Sequence, residues 1–340
     1  MSRLDQNEDS LVQRIARVFA REQADDHSTL KVEMGDDAAL FAPRSGYETI
    51  LTCDWFLEGT HFLRDKHPAD AVGWKCLARA VSDIAAMGGQ PRCFLLSLAL
   101  PQSHTGRWLD EFLSGLRRAV RRFRCLLAGG DTTRRKEILI NVTVVGEVRE
   151  GQAVLRSGAK PGDVIFVSGR LGEAELGLRL LRIGETIAGR KDPALKKHLY
   201  PEPRLELGRW LAEKGLAAAM MDLSDGFSSD LPRLCAASGV GARIEEAKLP
   251  IVSTSWDKRT QGLDSLHLAL DGGDDYEMLF VVPRRRVASI QRSFRGLALT
   301  SIGEITRERT ILLTDKDGQE RKLVPSGWDP FREAKRKLPT

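Results

Sequence analysis

Cysteine and histidine are scarce in this sequence. Its 340 residues include five cysteines and six histidines. The cysteines lie far apart and form no Cys-x-x-Cys pair, which argues against a disulfide framework and against a structural zinc site. We therefore expect a protein of the reducing cytoplasm.

Long apolar runs are missing as well. No uninterrupted apolar stretch reaches membrane-spanning length, and the start of the chain, Met1 to Glu8, lacks the apolar centre of a signal peptide. The sequence therefore predicts a soluble protein that is neither exported nor bound to a membrane. An apolar fraction of 42% and a charged fraction of 29% are ordinary for globular proteins, so disorder is not expected over most of the length.

The common nucleotide and hydrolase motifs are absent too. The sequence has no Gly-x-x-x-x-Gly-Lys-Ser/Thr, no protein-kinase glycine loop with His-Arg-Asp, no Gly-x-Ser-x-Gly and no His-Glu-x-x-His. These absences disfavour P-loop enzymes, protein kinases, serine hydrolases of the α/β type and zinc proteases. Any phosphate chemistry would need a less usual fold.

Positive charge is only in mild excess. The net charge is +5, and the densest basic run, Arg117 to Arg124, interleaves with apolar residues at helical spacing. That spacing indicates the solvated face of an amphipathic helix rather than a nucleic-acid patch. We expect no nucleic-acid partner; a steep salt dependence of DNA or RNA affinity would reveal one.

Carboxylates, in contrast, recur in one local setting, an apolar run that ends in small residues and then one or two acids. The instances are Gly35-Asp36-Asp37, Thr52-Cys53-Asp54, Ser82-Asp83, Gly129-Gly130-Asp131, Asp222-Leu223-Ser224-Asp225 and Gly272-Gly273-Asp274-Asp275. Such a set offers oxygen donors, the ligands preferred by hard cations such as magnesium. Magnesium in turn suggests a phosphate substrate.

Strand and helix patterns alternate along the chain, which indicates a mixed α/β or α+β protein. Strands are expected at 49–53, 94–100, 138–148 and 164–168, and helices at 10–21, 69–87, 106–123, 172–182, 204–214 and 230–237. The length favours two domains, and a turn-rich stretch near 150–163 suggests domains at 1–150 and 151–340. The polar segment from Arg182 to Pro203 is expected to be a surface excursion.

Three of the acidic stretches leave alternatives open. Asp83 falls in the last turns of a helix, where either a bound cation, a nearby arginine or solvent would offset the helix dipole. Gly129 to Thr133 has the parts of a phosphate site, or of a tight turn. Asp222 and Asp225 precede a helix expected to begin near Ser229 or Asp230, so that one acid could cap it while the other binds metal.

In their order along the chain, the acidic stretches and their neighbours resemble one known family nearly end to end. The matching stretches are Gly35 to Ala39, Asp54 with Glu58 to Phe62, Ser82 to Gly88, Gly129 to Thr133, Arg156 to Asp163, Asp222 to Gly226, Gly272 to Glu277 and Gly327-Trp328. They resemble the thiamine-monophosphate kinases, of the superfamily that includes aminoimidazole ribonucleotide synthetase and selenophosphate synthetase. The resemblance implies ATP-dependent phosphorylation of thiamine phosphate to thiamine diphosphate. It also implies the two-domain fold of that superfamily, as a homodimer whose N-terminal domains share a β-barrel and whose C-terminal domains are α/β.

The resemblance further assigns roles to residues of this sequence. The implied ligands of several Mg²⁺ ions are Asp37, Thr52, Cys53, Asp54, Asp83, Asp131, Asp222 and Asp225. The implied nucleotide-binding residues are Gly130, Asp131, Arg156 and Ser224, and the implied residues for the thiamine moiety are His61, Asp274 and Trp328. No catalytic side chain is implied, because the acceptor phosphate is already largely dianionic, with a second pKa of about 6.

Two positions depart from the family pattern. Asp274 stands where a glutamate is usual, and Cys53 where a hydroxyl residue is commoner. A thiol is a poor magnesium ligand, so Cys53 can serve without loss only through its carbonyl.

Two rival functions also remain at this point, a sister enzyme with a different acceptor and a scaffold that binds ATP without turnover. Trp328 could stack on the thiazolium ring or pack the C-terminal domain.

Overall fold

The computed structural model describes residues 8–19, 29–32, 37–184, 192–254, 260 and 262–332. Its helices are α1 (Glu8–Phe19), α2 (Ala69–Ala86), α3 (Arg107–Phe123), α4 (Glu173–Arg182), α5 (Pro193–Leu199), α6 (Leu205–Glu213), α7 (Phe227–Ser238) and α8 (Ser265–Asp271). The N-terminal strands are β1 (Leu30–Val32), β2 (Leu40–Phe41), β3 (Tyr47–Leu57), β4 (Gln90–Leu100), β5 (Leu126–Arg134) and β6 (Leu139–Arg149). The C-terminal strands are β7 (Val164–Ser168), β8 (Ala219–Leu223), β9 (Gly241–Glu245), β10 (Glu277–Val282), β11 (Ser293–Phe294), β12 (Leu297–Thr306), β13 (Ile311–Thr314) and β14 (Glu320–Lys322). The chain thus forms a mixed α/β fold of two domains, as expected.

The N-terminal domain is built on a four-stranded sheet in the order β3-β6-β4-β5. Along β3, Ile50 and Phe56 are buried beneath α2 and α3, whereas Leu51 and Trp55 are exposed. Since successive side chains of a strand point to opposite faces, Thr52 and Asp54 share the helix-covered face. The other face carries exposed apolar residues, among them Leu95 of β4.

Helix α2 lies at the centre of the molecule. Fifteen of its eighteen residues are buried, and it packs against α3, α6, β3 and β8. Close packing on α3 depends on glycine, since a Cβ at Gly115 would lie 1.8 Å from the carbonyl oxygen of Asp70. Among these apolar contacts, Lys75, Arg79 and Asp83 recur every fourth residue and so lie along one side of the helix.

The C-terminal domain is built on a larger sheet in the order β14-β13-β9-β12-β7-β10-β8, with β11 paired to β12. Strands β7, β8 and β10 are buried along their whole length, because α7 and α8 cover one face and α6 the other. The end of β8 at Leu223 therefore opens towards α2, and this brings Asp222 beside the N-terminal domain.

Most expected elements are present within a few residues of their predicted ends, whereas two of the open alternatives are excluded and one local prediction is wrong. Gly129 to Thr133 lies inside β5 rather than in a turn. Helix α7 begins at Phe227, and no side chain caps its start, so neither Asp222 nor Asp225 has that role. Residues 193–199 form a helix with buried Leu195, because Asp192 accepts the backbone N–H of Ala194 at its start. The first two matched residues, Gly35 and Asp36, lie outside the described residues.

No helix in the described ranges has the length and apolar character needed to cross a membrane.

Candidate active site

Acids from both domains meet beside the last turns of α2. Thr52 of β3 donates its hydroxyl hydrogen to Asp83, and Ser82 donates to Asp222 Oδ2 at 2.6 Å. Asp54 and Asp225 lie near enough to interact electrostatically with Asp83. Four carboxylates from β3, from the last turns of α2 and from the end of β8 thus form one group. We call this group the acid cluster: Asp54, Asp83, Asp222 and Asp225.

Three acids of the cluster, Asp54, Asp83 and Asp222, have raised pKa values. Burial, together with the nearby Asp83 and Asp225, raises the pKa of Asp54 to about 6, although Arg79 opposes the rise. Burial and Asp83 raise the pKa of Asp222 to about 8. Like charges held this close are unfavourable unless protons or cations neutralise them. The cluster therefore has the electrostatics of a cation site.

Of the alternatives left open for Asp83, the nearby arginine is present in the structure. Burial raises its pKa, while the hydrogen bond from Thr52 and the charge of Arg156 lower it. Arginine thus contributes to compensating Asp83, but it does not cancel the effect of burial.

Three of the implied metal ligands are placed differently from the acid cluster. Asp131 lies on β5, in register with Ser97 of β4, and β5 is three strands away from β3 across the sheet, a distance of about 14 Å. The side chain of Cys53 points to the open face, where Asn141 Nδ2 lies 3.1 Å from its Sγ. Only the backbone carbonyl of Cys53 remains for a cation on the Thr52 side. Asp37 lies in an exposed bend before β2.

Two cavities flank the acid cluster. One, of about 400 Å³, is lined by Asp83 and Thr52 and by apolar residues including Leu155 and Met221, with Arg156 and Ser157 at its edge. The other, of about 310 Å³, is lined on its inner side by Ser224 and Asp225. Members of the cluster thus line both cavities, Asp83 the first and Asp225 the second.

The second cavity, hereafter the aromatic cavity, contains all three residues expected to face the thiamine moiety. Its wall includes His61, Asp274 and Trp328. The rings of His61 and Trp328 lie 6.4 Å apart between centroids. His61 Nδ1 accepts the backbone N–H of Leu57, and burial with the charge of Arg79 lowers its pKa to about 4. A neutral histidine at pH 7 suits contact with a cationic ring better than proton donation.

Asp274 is held by two cations. Lys75 Nζ donates to its Oδ2 at 2.8 Å, Arg79 Nη1 to its Oδ1 at 3.2 Å, and the Tyr276 hydroxyl also donates to Oδ1. Burial alone would raise the pKa of Asp274, but Lys75 and Arg79 hold it well below its usual range. Asp274 has a φ of +67°, a left-handed conformation that is uncommon outside glycine and is often found at functional sites.

Several residues of this site are not among the expected ones. Lys75, Arg79 and Ser82 come from α2, and Asp230 of α7 accepts the backbone N–H groups of Ser224 and Asp225 at 3.0 Å each. A signal for two of them is present in the sequence, since Lys75 and Arg79 are charges on the side of an otherwise apolar helix that also carries Asp83. Asp230 gives no such signal, because an acid in the first turn of a helix is common.

The donor set fits magnesium bound together with substrate phosphates. In the described part of the chain, no three Asp, Glu, His or Cys side chains converge tightly enough to hold a metal by themselves. Magnesium commonly takes one or two carboxylates and completes its shell with phosphate oxygens and water. The paired carboxylates of the acid cluster match that mode.

The fold and the site define a class of proteins. Residues 35–148 match the N-terminal domain of AIR synthase related proteins, and residues 160–316 match their C-terminal domain. The thiamine-monophosphate kinase of Escherichia coli K12 is 38% identical over 323 residues, which cover 93% of this chain and 97% of that protein. The chain belongs to the thiamine-monophosphate kinase family, and it is an enzyme of the kinase class.

Solved structures agree with this assignment. A crystal structure of the thiamine-monophosphate kinase from Stenotrophomonas maltophilia K279a superposes with a TM-score of 0.78 at 33% identity, over 92% of this chain and 97% of that one. A structure described as AaThiL complexed with AMPPCP and TMP superposes with a TM-score of 0.74 at 32% identity, over 97% and 99% of the two chains.

Proposed function

We propose that this chain transfers the γ-phosphoryl group of ATP to thiamine phosphate, giving thiamine diphosphate for thiamine diphosphate biosynthesis in the cytoplasm. The observation that carries the proposal is the acid cluster between two cavities, one lined by apolar residues beside Arg156 and the other by His61 and Trp328. ATP fits the first cavity and thiamine phosphate the second. The relative complexed with AMPPCP and TMP supports this pairing of ligands.

The transfer is direct and in line, without a phosphorylated protein. The acceptor phosphate is a sufficient nucleophile near neutral pH, and the described walls of the two cavities supply no strong general base besides carboxylates. The task of the chain is to bring two anions together in the correct orientation. Arg156 and Ser224 would position the nucleotide, while His61 and Trp328 would hold the rings of the acceptor.

Several Mg²⁺ ions would be held by Asp54, Asp83, Asp222 and Asp225, with the hydroxyl of Thr52 and the carbonyl of Cys53 beside them. When bound, such ions neutralise phosphate charge and so lower the repulsion between donor and acceptor. Domains at 1–150 and 151–340 would then meet at this ion site.

A second copy of the chain would complete the site. The open face of the N-terminal sheet exposes Leu51, Trp55 and Leu95, and β3 and β5 are its two edge strands. Two such sheets can close into a barrel in which β5 of one copy pairs with β3 of the other. That pairing would bring Asp37 and the Gly130-Asp131 segment of each copy towards the acid cluster of its partner, across the 14 Å or so that separates them within one chain.

One assay tests the function. Purified protein, ATP and magnesium are incubated with thiamine phosphate, with other phosphorylated acceptors and with chelator as control. We expect thiamine diphosphate only with thiamine phosphate and magnesium present. Turnover of another acceptor alone would identify a sister enzyme, and nucleotide binding without any turnover would identify a scaffold. A protein that became phosphorylated by ATP alone would contradict direct transfer.

A further inference from the structure

Arg79 has unused hydrogen-bonding capacity where the aromatic cavity meets the acid cluster. Its side chain is only 16% exposed, and its Nη1 donates to Asp274 and to the Tyr276 hydroxyl. Its Nε is buried and has no hydrogen-bond partner among the described residues. A buried donor without a partner is unfavourable by about 1–3 kcal/mol, so such a group usually marks a site that a ligand or water completes.

Two cationic side chains contact one carboxylate at this end of the cavity. Asp274 is shared by Lys75, which is 1% exposed, and by Arg79, so one carboxylate faces two cations. The other two acids of the cavity wall have arginines of their own: Glu175 pairs with Arg179 at 2.8 Å, and Asp225 with Arg233 at 2.6 Å.

The histidines nearby do not add to this charge. Burial lowers the pKa of His67 to about 4, and burial with the charge of Lys75 also lowers that of His198. His67 Nε2 and His198 Nε2 lie 3.0 Å apart, which requires one of the two nitrogens to be unprotonated. The cationic side chains at the aromatic cavity are therefore Arg79 and Arg182, which line it, and Lys75, which contacts Asp274 and whose pKa is lowered by burial.

The position of Arg79 along the aromatic cavity determines which part of a ligand it can bind. The Arg79 guanidinium carbon lies 5.5 Å from the Phe56 ring centroid, and that ring lies 6.0 Å from His61. Arg79 also interacts electrostatically with Asp54 and Asp83. It thus stands between the residues that would hold the rings of an acceptor and the carboxylates that would hold metal.

We propose that the Arg79 guanidinium binds the phosphate of the acceptor, and so makes the site selective for a phosphorylated over an unphosphorylated acceptor. Arginine suits this role because its planar fork holds one carboxylate and one phosphate at once. Asp274 and Tyr276 then also act as positioning residues, because both accept hydrogen bonds from Arg79 and so orient its guanidinium. This inference rests on the proposed function and names the residue that recognises the acceptor phosphate.

Equilibrium binding of thiamine phosphate and of thiamine tests the proposal, because the two ligands differ only in the phosphate. Affinities are measured by calorimetry with magnesium and saturating AMPPCP, for the unaltered protein, Arg79→Gln and Arg79→Lys. We expect Arg79→Gln to weaken thiamine phosphate binding roughly 10- to 100-fold, the range for a hydrogen bond to a charged group, and thiamine binding less than about twofold. Arg79→Lys keeps the charge but not the fork, and should lose about tenfold for thiamine phosphate alone. The lysine variant also tests the proposal if the glutamine variant fails to fold.

The matched control is Arg209→Gln, which removes the same charge from the exposed side of α6. It should leave both affinities unchanged. An equal loss for both ligands in the Arg79 variants would mean that Arg79 only shapes the cavity. No loss for either would mean that it merely offsets the acid cluster. Both results would overturn the inference while leaving the proposed function intact. Failure of the unaltered protein to bind or phosphorylate thiamine phosphate would instead refute the proposed function.

Discussion

Burial and contact with cationic side chains together set the pKa of individual acids at this site. Asp222 is 3% exposed, and burial raises its pKa to about 8, whereas Lys75 and Arg79 hold the pKa of Asp274 well below its usual range. The same residue type therefore has opposite behaviour within one site, and the difference lies in whether a cation of the chain is in contact. The side chain that contacts Asp222 is the neutral Ser82, which donates a hydrogen bond to it. The negative charge of ionised Asp222 would therefore be balanced by a cation from solution.

Replacing Asp222 should change the pH dependence of stability. The pKa of Asp222 in the folded protein, about 8, lies above that of an unfolded aspartate, so metal-free protein loses stability as pH rises from 4 to 8. Asp222→Asn removes that loss, roughly 1.4 kcal/mol for each pH unit over which the two states differ in protonation. Urea unfolding at pH 5 and pH 8 with chelator measures the difference.

Adding magnesium should reverse which of the two proteins, unaltered or Asp222→Asn, has the larger free energy of unfolding at pH 8. Metal ions bind the deprotonated acid, so unaltered protein gains stability on adding magnesium at pH 8 and the variant gains less. Asp317→Asn, at an exposed carboxylate in a turn, is the control and should behave like the unaltered protein. Identical pH slopes for Asp222→Asn and the control would refute this account.

Trp328 offers a test of ring recognition. It is 44% exposed at the mouth of the aromatic cavity, so it retains a free face for a cationic ring. Trp328→Ala should raise the KM for thiamine phosphate roughly 3- to 30-fold, as expected for a cation–π contact of about 0.5–2 kcal/mol, and leave the KM for ATP nearly unchanged. Steady-state kinetics with each substrate varied in turn gives both values. Phe331→Ala, in the same segment and 94% exposed, should change neither; an unaltered KM in Trp328→Ala would exclude stacking.

At the scale of elements, the segment from Gly272 to Glu277 connects several helices to the site. Asp274 pairs with Lys75 of α2, and Asp275 accepts the backbone N–H groups of Gly172 and Ala174 at the start of α4. Glu277 pairs with Lys197 of α5 and with Arg204 just before α6. Three acids that look alike in the sequence thus fix one loop against three parts of the fold, and only Asp274 lines the aromatic cavity.

Packing of α2 on α3 should be sensitive to one added methyl group. In Gly115→Ala the new Cβ would meet the Asp70 carbonyl oxygen at 1.8 Å, so the helices must separate and the acid cluster shifts with α2. We expect a loss of about 1–3 kcal/mol in the free energy of unfolding, despite the better helix propensity of alanine. Denaturant unfolding measures it. Ser114→Ala, one residue away and exposed, should lose less than about 0.5 kcal/mol. Equal stabilities for the two variants would contradict the tight contact.

At the scale of the whole molecule, one chain holds an incomplete set of the expected ligands. Asp131 is on the far edge strand of the N-terminal sheet, and the open face of that sheet exposes Leu51, Trp55 and Leu95. An exposed apolar patch of this kind commonly marks an interface. The proposed second copy would explain both features together.

A charged residue on the open face of the N-terminal sheet should therefore separate the two proposed copies of the chain and strongly reduce phosphoryl transfer. Leu95→Arg lies on β4, in the middle of the sheet and outside the described walls of both cavities. We expect a monomer by sedimentation velocity, with activity reduced at least about 100-fold because the site lacks the partner's Asp131. Ile183→Arg, at an exposed isoleucine after α4, should remain dimeric and active. A Leu95→Arg protein that stayed active as a monomer would show that one chain suffices.

Local pattern predicted much of the fold, because helix and strand periodicities and their end signals are read within a few residues. The ends of α2, α3, β6 and β7 lie within a residue or so of the expected positions. It did not identify the strand at Gly129 to Thr133, since glycines that suggest a turn can also permit close strand contact: a Cβ at Gly130 would lie 1.9 Å from the carbonyl oxygen of Leu96. It also failed at 193–199, where burial against α4 makes a polar segment helical.

The sequence by itself determined the family, the alternation that sets Thr52 and Asp54 on one face of β3, and the aspartates at element ends, because these depend on residue order alone. Only the tertiary structure decided which of those aspartates meet, which are neutralised by Lys75 and Arg79, and which keep their protons. Electrostatic free energy depends on distance and burial, and both are set by contacts between residues far apart in the chain.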